Sequence, residues 1–124
     1  MTHEEAQAVA DLTAEHFGIL PVPIQVKNVQ AGRARYRTRK ITIPRWALTD
    51  YGEAYATAYV VHEIAHFVVW ARGLRSSDGT HGPFFKRYED EGLALWDLSI
   101  ERARSYVKEI YANGQCLWPK KGAK

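Results

Sequence analysis

Residues 53–72 read EAYATAYVVHEIAHFVVWAR, and this stretch decides the fold. Ala54, Tyr55, Ala56, Ala58, Tyr59, Val60, Val61, Ile64, Ala65, Phe67, Val68, Val69 and Trp70 leave almost no polar face. A helix that is apolar nearly all round is a buried, central helix. Within it His62, Glu63 and His66 form an H-E-x-x-H motif. Residues four apart stack on one side of a helix, so both imidazoles face the same way, while Glu63 lies about 100° round from His62. The pattern arises by chance in roughly one chain in a hundred of this composition. Left unpaired inside an apolar helix, each of these polar groups would cost about 1–3 kcal/mol. A divalent cation bound by the two imidazoles, with Glu63 beside its water, satisfies all three together.

A catalytic zinc takes three protein ligands and keeps one position open. The metzincin continuation of the motif needs a glycine and a third histidine further along the same helix, where this chain has Val69 and Arg72. The remaining candidate is His81, beyond the end of the helix, because His3 and His16 belong to the first helix. On spacing alone Asp78 and Glu89 stand nearly level with it, since a His-His-acid set also holds catalytic zinc. Glu89 and Asp90 are also candidates to orient a ligand imidazole. Tyr59, one turn before the motif, and Tyr88, in the next helix, are candidate transition-state donors.

Working outward, Thr2 with Glu5 is a capping-box pattern that opens a surface helix over residues 2–17, stopped by Gly18. Pro21 and Pro23 break the chain before Ile24 and Val26, which alternate with Gln25 and Lys27 as in a half-buried strand. Gly32 allows a turn. From Arg33 to Arg39 every odd position is arginine and the even ones are Ala34, Tyr36 and Thr38, so a strand here has one cationic and one packing face. Ile41 and Ile43 make a partner strand, ended by Pro44, in a small antiparallel sheet. After the central helix Gly73 is a stop, a polar loop follows, and Pro83 opens a helix expected to run to about Tyr111, bent at Gly92. The order of helix, small sheet, buried helix and further helices is that of an α+β domain. It spans residues 1–119, with 120–124 a short, disordered basic tail.

The chain of 124 residues, 46% hydrophobic and 25% charged, has the composition of one ordinary globular domain. Cys116 is the only cysteine, which excludes an internal disulfide and a four-cysteine zinc ribbon and points to a reducing, cytoplasmic setting. The start, Met1 to Glu5, has no signal-peptide pattern, and no run of eighteen apolar residues suggests a membrane span. The net charge of +3 permits an acidic partner without naming one. Arg33, Arg35, Arg37 and Arg39 have two readings: charges that keep an edge strand from pairing wrongly, or contacts to phosphates or acidic substrate.

His62-Glu63-Ile64-Ala65-His66 followed after a loop by His81-Gly82-Pro83-Phe84-Phe85 resembles the SprT-like (Spartan-type) zinc metalloprotease domain. The arginine-rich strand and the Ile41-Thr42-Ile43 strand ahead of the helix extend the likeness loosely over residues 18–111. The resemblance implies a zincin-like fold, one zinc ion held by His62, His66 and His81, Glu63 as catalytic base, and a sheet edge along which a protein or peptide substrate lies. It also implies proteolysis of DNA-associated proteins, with DNA as a partner. The alternative is a DNA-binding module whose zinc site is structural.

Overall fold

The computed structural model describes residues 1–74 and 82–98. Its elements are α1 (His3–Phe17), β1 (Ile24–Lys27), β2 (Arg33–Arg35), β3 (Lys40–Pro44), α2 (Arg45–Thr49), α3 (Glu53–Ala71) and α4 (Pro83–Ala94). Among the described residues this is an α+β arrangement of four helices and one three-stranded mixed sheet. The loop position Asp78, His81, the stretch from residue 99 toward Tyr111, and the tail 120–124 lie outside the described residues.

The caps written in the sequence set the helix ends. The Thr2 hydroxyl accepts from the Glu5 N–H at 3.1 Å while the Glu5 carboxylate accepts from the Thr2 N–H at 2.8 Å, closing the expected capping box. Gly18 and Gly73 take left-handed backbone, with φ of 70° and 66°, and end α1 and α3. α4 stops well short of Tyr111. Asp97 adopts φ 55°, the Asp97 N–H donates to the Ala94 carbonyl at 3.2 Å, and the Leu98 N–H donates to the Leu93 carbonyl at 2.9 Å. This is a Schellman ending with aspartate where glycine is usual, closed by contact between the buried Leu93 and Leu98. Gly92 lies within α4, and a Cβ there would lie 2.8 Å from Val61 Cγ1, so the glycine lets α4 approach α3 closely.

The sheet is mixed rather than antiparallel. β3 lies in the middle, paired in parallel with β1 from Ile24 opposite Ile41 to Lys27 opposite Pro44, and antiparallel with β2 from Arg33 opposite Thr42 to Arg35 opposite Lys40. After β1 the chain crosses the end of the sheet before descending along its far edge. Trp46 Nε1 donates to the Gln30 carbonyl at 3.1 Å, Arg45 Nε to Asn28 Oδ1 at 3.1 Å, and the Gly32 N–H to the Tyr59 hydroxyl at 2.7 Å, holding that crossing in place. The anchors come from α2 and α3, far along the chain, so local alternation does not reveal them. The arginine-bearing strand is also shorter than expected, because residues 36–39 form the turn into β3 and Arg39 takes φ 51°.

α3 runs through the centre, touching α1, α2, α4 and the sheet. Tyr55, Tyr59, Val60, Val61, Ile64 and Val68 have no exposed surface, as expected of a helix without a polar face. No described helix is long and apolar enough to cross a membrane.

Candidate metal centre

His62 and Glu63 are buried inside α3, at 2% and 3% exposure, and His66 is half-buried one turn on. The His62 and His66 ring centroids lie 5.1 Å apart with the planes at 83°. An imidazole centroid sits about 3 Å from an ion bound through one nitrogen, so two rings sharing a tetrahedral ion need centroids about 5 Å apart. The observed separation of the two rings matches that spacing. Among the described residues no group of three His, Cys, Asp or Glu side chains converges on an ion position, and the expected third ligand, His81, lies outside them.

α4 packs against this face. It begins at Pro83, two positions after His81 in the sequence, and places the Phe85 ring 4.4 Å from His66 and 4.9 Å from His62, centroid to centroid. One turn later Glu89, only 5% exposed, brings Oε2 to 2.6 Å from His62 Nδ1. With Glu89 ionised, its oxygen only accepts, and the proton of this bond is then carried by Nδ1. Glu89 thus bonds the His62 imidazole, the contact expected of a carboxylate that orients it. Within the run Glu89-Asp90-Glu91 the other two carboxylates are exposed. The signal that singles out Glu89 is its place one helical turn after Phe85, on the same face of α4.

The two tyrosines singled out in the sequence make contacts to other parts of the fold. The Tyr59 hydroxyl meets the Gly32 N–H between helix and sheet. Tyr88 is buried edge-on against Phe17 of α1, at 5.8 Å, with the Arg72 guanidinium 4.9 Å above its ring. The arginines divide as well. Arg33 and Arg35 are exposed on the edge strand β2, on the sheet face opposite to Ala34, which packs on the core, and Arg37 is exposed in the turn. Arg39 instead donates to the Leu20 and Pro21 carbonyls at 2.9 and 3.2 Å and lies 5.8 Å over the Phe67 ring, so it anchors the hairpin. Arg35 stands directly opposite Lys40, and among the described residues no carboxylate pairs with Arg33, Arg35, Arg37 or Lys40.

β2 follows the line of α3. Gly32, just before it, touches Tyr59, while Tyr36, just after it, stacks on Trp70 at 5.5 Å and meets Phe67 edge-on at 5.3 Å. The strand between therefore passes the helical turns that carry His62, Glu63 and His66.

A buried helix carrying His62, Glu63 and His66, bordered by a sheet edge and backed by a helix that bonds one of its histidines, sits at the centre of an α+β domain. The family model for the SprT-like family matches residues 6–92, most of the chain, and the chain belongs to that family. The family is generally associated with metallopeptidase-like activity. No curated protein and no solved structure matches the chain.

Proposed function

We propose that this protein is a zinc-dependent endopeptidase of zincin-like design, with His62, His66 and His81 holding one zinc ion and Glu63 as the general base. The observation that carries the reading is the set of buried His62 and Glu63 with half-buried His66 on one helix, its first imidazole fixed by a carboxylate from another helix. Structural zinc sites close all four positions with protein side chains, whereas three histidines with a glutamate beside them leave a position for reaction. Zinc, when bound, supplies Lewis acidity that lowers the pKa of water and polarises a carbonyl. Glu63 takes the proton of the attacking water on its carboxylate and delivers it to the departing amine. The apolar walls of α3 and Phe85 exclude other water and strengthen each polar contact. The edge of β2 is where an extended substrate segment pairs, because it runs beside the catalytic turns. DNA-associated proteins are the proposed substrates, and a cytoplasmic location fits a chain with one cysteine.

The test is hydrolysis of a panel of unfolded proteins, with and without single-stranded DNA, by wild type and Glu63→Gln. The expected result is a rate loss of about 100-fold or more at unchanged zinc content. Equal rates at equal zinc content contradict the assignment of Glu63.

One observation favours a second reading, a DNA-binding module with structural zinc. The outer sheet face carries Lys27, Arg33, Arg35 and Lys40 without an acidic partner among the described residues. It predicts salt-sensitive DNA binding that survives Glu63→Gln and is lost on charge reversal at Arg33 and Arg35.

A further inference from the structure

We propose that Glu89 is a positioning residue for the metal centre, holding His62 in the tautomer whose proton is on Nδ1 so that Nε2 is the nitrogen offered to the ion. This rests on the reading of His62 as a metal ligand.

Burial makes the argument. A carboxylate taken out of water is costly unless it is paired, and Glu89 is 5% exposed with its hydrogen bond going to His62 at 2.6 Å. Its neighbours Asp90 and Glu91 are exposed, so the acidic character of α4 alone does not explain why this one side chain is turned inward. An apolar residue would fill the same space at less cost, and what the carboxylate adds is an acceptor for Nδ1–H. An imidazole in water favours the proton on Nε2, the arrangement that blocks coordination through that atom. The Glu89 carboxylate reverses this preference before any ion arrives.

The distance is set by the backbone. Gly92, one turn beyond Glu89, allows α4 to close on Val61, the residue before His62. Phe85, one turn before Glu89, packs on both rings. The bond is therefore braced on both sides along α4, which limits rotation of the His62 ring. Ligand histidines held by such carboxylates bind metal about 10–100-fold more tightly than those without them.

The experiment has two readouts. Long-range proton–nitrogen correlation spectra of the metal-free protein report which His62 nitrogens carry a proton. Chelator competition reports zinc affinity. In wild type the His62 proton is expected on Nδ1. In Glu89→Ala it is expected to move to Nε2, with zinc binding weakened about 10–100-fold. Glu89→Gln, which keeps size and an acceptor oxygen, should retain fold by circular dichroism and lose less affinity. Folded Glu89→Gln and Glu89→Ala proteins with the wild-type tautomer and zinc affinity overturn the proposal. Failure of wild type to bind zinc contradicts the metal reading instead, and the metal-free spectra still decide whether Glu89 sets the ring.

Discussion

The Tyr59 hydroxyl accepts a 2.7 Å hydrogen bond from the Gly32 N–H, tying the helix that carries His62, Glu63 and His66 to the entrance of the edge strand. A Cβ at residue 32 would lie 2.7 Å from the Tyr59 ring and 2.9 Å from the Thr42 carbonyl, so only glycine permits the approach. The contact aligns β2 with the turns bearing His62 and Glu63, the arrangement on which the proposed substrate edge depends.

Tyr59→Phe removes the acceptor and leaves the Gly32 N–H without it. The expected loss of stability in urea unfolding is about 1–3 kcal/mol. Zinc affinity should be unchanged, because the hydroxyl bonds the sheet. A fall in zinc affinity at full folding would instead tie the hydroxyl to the metal.

Gly92→Ala tests the closeness of α3 and α4. Alanine is the better helix former by about 1 kcal/mol. Against this, its Cβ would stand 2.8 Å from Val61 Cγ1, and Val61 is fully buried and stiff. Overpacking of this kind costs about 1–3 kcal/mol, so the melting temperature should fall. Adding Val61→Ala should restore part of the loss, giving a non-additive double mutant. A rise in melting temperature for Gly92→Ala alone contradicts the close packing.

The N-terminus of α1 should respond to acid. Hydrogen bonds from the Thr2 backbone and side chain hold the Glu5 carboxyl below its ordinary value of 4.5. A depressed folded pKa contributes stability that is present above the unfolded value and is lost as pH falls through the folded one. Protection factors of the amides at residues 2–6, taken against the intrinsic exchange rate at each pH, should therefore fall as the pH drops below that ordinary value, and Glu5→Gln should remove the response. A profile identical in both proteins rules the capping carboxylate out as its source.

Where the determinants are local, the sequence shows them. Thr2 and Glu5 announce α1, the apolar run announces α3, and the spacing of His62 and His66 puts two imidazoles on one side of it. The missing parts depend on distant partners. Parallel pairing of Ile24–Lys27 with Lys40–Pro44 is enforced by Trp46, Arg45 and Tyr59 holding the 28–32 crossing. α2 goes unread because five residues give no period to detect. α4 is read too long because aspartate, not glycine, fills the left-handed position at residue 97. Glu89 is legible as a candidate to orient an imidazole, but its acidic neighbours give it the look of a solvated face until α3 is set against it.

The most direct test of the account is the zinc stoichiometry and affinity of wild type and His81→Ala, measured by native mass spectrometry and chelator competition. The account predicts one zinc per wild-type chain and a dissociation constant at least about 100-fold higher without the third imidazole, a larger effect than loss of a supporting carboxylate. A folded His81→Ala protein that holds zinc as tightly as wild type would contradict it.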